Sequence, residues 1–273
     1  MEQFGAMSKE DLRKMQLIQL EMLIEVDRIC RKNNIKYCII AGTLLGAIRH
    51  KGYIPWDDDA DIGMLREEYE KFKKVCDKEL NKDKFFFQDH SNTPEYRWGY
   101  GKLRKNGTVF VRKGQEHLKF KTGVFIDIFP LDGVPDNAIK RGWHNLKCTI
   151  VRKLLWSEAG KKSSNNFFEK WIYSLLSAIP LNYIFKLHSR LIEKSNKSPS
   201  KMVRILTFPT PAKRKYGYLR KWYEELAEIE FEGYKFYAPK DFDEYLTYKF
   251  GNYMELPPEN ERNGHSYTKY DLG

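Results

Sequence analysis

Four aspartates crowd into five positions of this chain, at Asp57, Asp58, Asp59 and Asp61. At about 4 Å and an effective dielectric near 20, each like-charged pair costs on the order of 4 kcal/mol. A folded chain keeps such a cluster where a cation neutralises it. Read as a strand over residues 57–64, the segment points Asp59 and Asp61 to one side, two residues apart. Two carboxylates so placed suit one hard divalent cation, Mg²⁺ or Mn²⁺. A solvated acidic loop is the plain alternative, and the flanking Ile54, Trp56, Ile62 and Met64 argue against it. A calcium loop is another. Asp57, Asp59, Asp61 and Glu68 fall at its ligand positions, but Ile62 stands where its glycine belongs and Pro55-Trp56 replaces the entering helix.

Upstream, Gly42-Thr43 follows the apolar run 37–41 and precedes a helix-compatible stretch at 44–50. Backbone N–H groups at a strand-to-helix turn bind phosphate, and glycine permits close approach. The pair says little alone. Followed by Asp-x-Asp on the next strand, it gains weight, because the two elements would meet at one sheet end. Downstream, Asp127 is a single carboxylate inside the apolar strand 123–130.

The elements that must position these residues are legible in part. Ser8 with Asp11 opens a helix, and Met15, Ile18, Met22, Val26 and Ile29 form one stripe that ends near Asn33–Asn34. Residues 51–56 are a loop, punctuated by Gly52 and Pro55. Residues 66–80 have an amphipathic helical pattern. Strand-like runs follow at 85–87 and 96–103, and Asn106-Gly107 predicts a hairpin into 108–111. Residues 137–205 are helical and basic, with polar breaks at 161–166 and 194–200 and Pro180 interrupting an apolar stretch. The remainder, 206–273, is mixed. The expected organisation is a catalytic core over 8–136, a basic helical insertion over 137–205 and a return to the core over 206–273.

The net charge of +11 is unevenly spread. From residue 137 to 221, 19 Lys and Arg face 3 Glu, a local net of +16 that leaves −5 for the rest. Such asymmetry fits an anionic partner: a nucleic acid, a phospholipid face or a polyanionic glycan. No apolar run reaches the roughly 18–20 residues of a membrane span, and no signal peptide opens the chain. Cys30, Cys38, Cys76 and Cys148 form no metal or disulfide spacing, which fits a reducing cytoplasm, with Cys30 and Cys38 as core residues.

From Ala41-Gly42-Thr43 through Trp56-Asp57-Asp58-Asp59-Ala60-Asp61-Ile62-Gly63-Met64, the chain resembles the LicD family. That family includes bacterial phosphocholine transferases and, more distantly, fukutin-related ribitol-phosphate transferases. The resemblance continues at Phe125-Ile126-Asp127-Ile128-Phe129-Pro130-Leu131-Asp132 and at residues 245–258, ends at His265, and is absent from the basic segment.

The resemblance implies an α+β fold, a nucleotidyltransferase-like mixed β-sheet flanked by helices. It makes Gly42-Thr43 the phosphate turn, with Thr43 where Gly-Ser is usual. Asp59 and Asp61 become the metal pair and Asp127 the third carboxylate, as ligand or general base. The implied donor is CDP-choline or another CDP-alcohol. The implied acceptor is a hydroxyl of a cell-surface glycan, of the teichoic-acid type or lipid-linked, and CMP leaves. For that chemistry Arg49, Lys51, Lys102, Arg104 and His265 are candidate phosphate contacts. Tyr53, Trp56, Trp98 and Tyr100 are candidates for an aromatic cage around choline. The basic segment fits peripheral attachment to an anionic membrane on the cytoplasmic side.

Two rival readings stand beside this one. A metal-dependent glycosyltransferase also uses Asp-x-Asp, but no parallel βαβ series precedes the pair here. A nucleic-acid-binding module rests on the basic segment alone, without a helix-turn-helix, RNP or zinc pattern, and no nucleic-acid partner is expected.

Overall fold

The computed structural model describes residues 7–273. In chain order, α1 (Lys9–Lys32) leads to β1 (Cys38–Ile39), α2 (Ala41–His50), β2 (Asp61–Leu65) and α3 (Arg66–Glu79). Then come β3 (Phe85–Gln88), β4 (Gly101–Lys105), β5 (Val109–Arg112) and β6 (Phe125–Val134). Three helices follow: α4 (Ala138–Ser163), α5 (Phe167–Ser177) and α6 (Leu181–Asn196). The chain closes with β7 (Met202–Arg204), β8 (Tyr218–Leu219), α7 (Lys221–Glu224), β9 (Leu226–Phe231), β10 (Tyr234–Pro239), α8 (Phe242–Phe250) and β11 (Tyr267–Asp271).

The architecture is the expected α+β, a mixed sheet flanked by helices. Its strands run β1-β2-β6-β4-β3, with β7 added to the far end of β6 and β8 to β7. Only β2 and β6 are parallel; the other pairs in this sheet are antiparallel. All ten residues of β6 are buried, because this strand lies at the centre with helices against it. Helix α1 buries Met15, Met22, Val26 and Ile29 against the sheet, as its stripe dictates, and the Ser8 hydroxyl caps it by accepting the Asp11 N–H at 3.0 Å. Cys30 and Cys38 are buried core residues, and all four cysteines are free.

Several expectations need correcting. The acidic strand begins only at Asp61, so Asp59 sits on a loop. The reason is that α1 takes the carbonyls a ladder would use: Gln16 Nε2 donates to the Asp57 oxygen at 3.0 Å and Gln19 Nε2 to that of Asp58 at 2.8 Å. Helix α2 starts at Ala41, which places Gly42 and Thr43 inside its first turn. The run 96–103 is strand only from Gly101. The turn at Asn106-Gly107 exists, with Gly107 at φ +74°, yet its flanking strands do not pair. Both edges of β4 are already occupied by β3 and β6, so β5 pairs with the C-terminal β11 instead.

The basic segment breaks where expected, between α4 and α5 and after α6. It is not helical throughout, because β7 joins β6 through Asp132↔Arg204 to Val134↔Met202. Its helices carry a small core of their own around Cys148, Val151, Leu155, Ile184 and Leu191. It is tied to the sheet at Asp132, which accepts two hydrogen bonds from Arg66, at 2.8 and 2.7 Å, and one from Asn196 at 2.6 Å.

Candidate active site

The parallel register of β2 and β6 places Asp61 opposite Asp127, and the antiparallel register of β4 places Lys102 opposite Asp127. Residues opposite one another in a ladder share a face, so a carboxylate, a carboxylate and an ammonium form one row. Lys102 Nζ donates to Asp127 Oδ1 in a buried ion pair. Burial pulls the Lys102 ammonium down to about 8, although Asp127 opposes this. Above the row opens a cleft of about 700 Å³, whose walls include Asp57, Asp59, Asp61, Asp127, Lys102, Arg112, Lys249 and His265.

Each aspartate of the cluster has its own place. Asp58 is not among the residues lining the cleft and is held by His265: Nδ1 lies 2.6 Å from Oδ1, and the His265 backbone N–H donates to Oδ2 at 3.1 Å. Burial works against the Asp58 carboxylate, but the His265 ring and the Arg112 charge hold it below its ordinary value. The bond to Asp58 in turn raises His265. Asp59 receives Arg112 Nη2 at 3.2 Å. Asp57 packs against the first turn of α2, where a Cβ on Gly42 would come within 2.7 Å of its Oδ2. Glycine at 42 is therefore needed for that close approach. Burial, with Asp59 and Asp58 nearby, pushes Asp57 up to about 8. Asp61 is pushed well above the carboxylate range, first by burial and then by Asp59, Asp127 and Asp57. Among the described residues its carboxylate receives no hydrogen bond, while its backbone N–H donates to Thr43 Oγ1 at 2.8 Å.

A divalent cation fits this donor set. Hard carboxylate oxygens are crowded so that burial and their neighbours push both Asp57 and Asp61 upward, which is the response of an acidic cluster short of positive charge. Asp59 and Asp61 face the cleft and are the residues that would hold such an ion, while Asp127 has one oxygen on Lys102. Asp58, Asp59 and His265 also bring ligand atoms within 4.8 Å of one another, but Asp58 is spent on the two bonds to His265.

Of the residues expected from sequence, Gly42, Asp59, Asp61, Asp127, Lys102, His265, Trp98 and Tyr100 line the cleft. The others lie elsewhere. Arg104 is buried and donates to Gln88 Oε1 at 2.6 Å and the Gly123 carbonyl at 2.8 Å. Arg49 donates to the carbonyls of Tyr253 and Glu255, pinning the C-terminal loop. Lys51 is the exposed left-handed C-cap of α2. Tyr53 packs edge-on against Phe231, and Trp56 lies between His50 and Arg262. The Thr43 hydroxyl serves the Asp61 backbone.

Sequence reasoning missed Arg112, Lys249 and a second set of aromatic residues. Tyr100 packs at 4.7 Å on Phe129 and at 5.6 Å on Phe208, and Trp98 at 5.4 Å on Trp156 of α4. Arg112 had one signal, its place on the strand after Asn106-Gly107. Trp156 and Phe208 had none, because they lie outside the motif stretches 41–64, 125–132 and 245–258.

Residues 34–190 match the family described as LicD/FKTN/FKRP, nucleotidyltransferase domain. A lipopolysaccharide cholinephosphotransferase LicD of Haemophilus influenzae is 32% identical over 267 residues, covering 95% of this chain and 97% of that protein. An uncharacterised protein of Rickettsia prowazekii is 30% identical across 38% of this chain and 57% of its own length. A family match over more than half the chain, with a relative aligned nearly end to end, establishes that this protein belongs to the LicD family.

Proposed function

We propose that the protein transfers phosphocholine from CDP-choline to a sugar hydroxyl of a cell-surface glycan of the lipopolysaccharide kind, releasing CMP and depending on a divalent cation. The observation that carries this reading is the union, in one cleft, of Asp59, Asp61 and Asp127 with the aromatic faces of Trp98, Tyr100 and Phe208. The near end-to-end relative named for choline phosphate transfer supports the choice of donor group. A divalent cation on Asp59 and Asp61 would supply Lewis-acid polarisation of the donor's phosphates.

The chain's own residues supply the rest. Arg112 and Lys249 bring positive charge to the cleft, offsetting the phosphate charge that repels an incoming hydroxyl. The acceptor oxygen bonds to the choline-side phosphorus as the bond to the CMP oxygen breaks, and the hydroxyl proton passes to Asp127. Lys102 keeps that carboxylate in place in the row. Aromatic faces around Tyr100 attract the quaternary ammonium through their negative π clouds.

The test follows CMP release from CDP-choline with a lipopolysaccharide acceptor and Mg²⁺, beside chelator and beside an Asp59→Ala/Asp61→Ala variant. Release that needs the ion and the aspartates supports the reading. UDP release from a UDP-sugar in place of CMP release would move the protein to the glycosyltransferases.

Peripheral attachment to an anionic membrane belongs to the same proposal. Helix α4 exposes Ile139, Trp143, Leu146 and Ile150, and α5 exposes Phe167, Phe168, Trp171 and Leu175. Helix α5 buries none of its side chains fully. Lys140, Lys147 and Lys170 accompany these apolar stripes. Exposed aromatics beside lysines are the pattern of a helix lying in a lipid interface. No helix of the described residues is long and apolar enough to cross a membrane.

A further inference from the structure

Beside the aspartate cleft lies a second cavity of about 330 Å³ for which the reaction above names no occupant. Trp98, Tyr100, Trp156, Phe208 and Pro209 line both spaces, so the two share a wall. The rest of the smaller cavity is built largely from the basic segment, with Arg152, Lys153 and Tyr173 among its residues. Its chemistry is the reverse of the cleft's. Among the described residues no carboxylate lines it, and Arg152 and Lys153 make no hydrogen bond or ion pair. Two cations without a hydrogen-bond or ion-pair partner among the described residues thus stand beside aromatic walls, at a site that opens beside the reacting groups.

We propose that this cavity binds a saccharide carrying an anionic group, phosphate or carboxylate, and that this saccharide is the acceptor. The apolar C–H face of a sugar ring suits the indoles of Trp98 and Trp156, which lie 5.4 Å apart and 32° from coplanar. The anionic substituent takes Arg152 and Lys153, the guanidinium matching its oxygens in a fork. Choline is turned away by the same two cations, and the donor's phosphates are drawn to the aspartate cleft. Its volume lies at the small end for ligand pockets, enough for the terminal part of a glycan, with the shared wall directing a sugar hydroxyl towards Asp127. The name acceptor rests on the transferase reading; the binding itself does not.

The experiment titrates glucose 6-phosphate, glucose and phosphocholine separately into the full-length protein, without donor and with chelator present, and reads tryptophan fluorescence. Glucose 6-phosphate is expected to change the signal at about tenfold lower concentration than glucose, the weight of one charge-assisted hydrogen bond. An Arg152→Gln/Lys153→Gln variant with unaltered circular dichroism should lose that advantage, and Trp156→Phe should lose most of the signal. Equal responses to the two sugars, or a double variant that still prefers the phosphate, would overturn the proposal. So would a phosphocholine response as strong as that to glucose 6-phosphate. Because neither donor nor divalent ion is present, failure here leaves the CMP-release result standing, and failure of CMP release leaves this binding intact.

Discussion

Asp61 and Asp127 stand directly opposite one another on the parallel strands β2 and β6, and Lys102 flanks Asp127 from β4. Two carboxylates side by side on buried strands are tolerable because one is neutralised by Lys102 and the other faces the cleft.

Removing one member of the Lys102–Asp127 pair leaves an uncompensated buried charge. Lys102→Met or Asp127→Leu alone should destabilise the fold by roughly 3–5 kcal/mol. The double substitution should come out closer to wild type than either single change. Urea denaturation measures all four proteins, and simple additivity of the two losses would contradict the pairing.

Thr43 works on Asp61 through its hydroxyl, which accepts the Asp61 N–H. Thr43→Val strands that buried donor at a cost of about 1–3 kcal/mol, and kcat should fall with the displaced carboxylate. Thr43→Ser retains the acceptor and should recover both. A serine variant no better than valine would show that the methyl group, not the hydrogen bond, matters.

Two histidines of the basic segment set its acid stability. Burial, with Arg66 and His90 adding to it and Asp132 opposing, pulls His188 down to about 3. Burial, with Arg204 and Lys147 adding and Asp132 opposing, pulls His144 down to about 4. The unfolded chain binds protons near pH 6.5 and the folded one resists them, so stability is full above pH 6.5 and falls as the pH drops towards 4. The slope should approach about 1.4 kcal/mol per pH unit for each histidine. His188→Leu should flatten it by about half, as followed by urea midpoints from pH 7 to 4.5. An unchanged slope would remove His188 from the account.

Lipid attachment through α4 and α5 should be salt-sensitive, since attraction to an anionic leaflet contributes about 1 kcal/mol per Lys or Arg. Co-sedimentation with phosphatidylserine-containing vesicles should exceed that with neutral ones. It should fall several-fold in Trp143→Ala/Trp171→Ala, two exposed positions whose truncation leaves the core untouched. Equal binding to neutral vesicles, or none at all, would exclude the attachment.

How much the sequence reveals depends on how local each feature is. Helix α1, its Ser8 cap and the helical breaks at 161–166 and Pro180 are written in spacing and composition within a few residues, and the structure has them. Asp127 is conspicuous because burying a lone carboxylate among apolar residues is costly unless a cation or a ligand compensates its charge. The position of Asp59 is not legible, because its loop is set by Gln16 and Gln19, some forty residues earlier. Nor is the engagement of Arg104, whose face on β4 is the same as that of Lys102 while its partners differ.

By itself the sequence determined the acidic cluster, the turn before it, the family and the alternation of helix and strand, since these follow from residue type and periodicity along the chain. Tertiary structure alone decided that β5 would pair with β11, which sets Arg112 on Asp59 and His265 on Asp58. It alone brought Trp156 of α4 and Phe208, after β7, to the wall of the cleft. Hydrogen bonds and burial between segments far apart in the chain leave no period to read, because their energy depends on which edges and faces remain free once the sheet has formed.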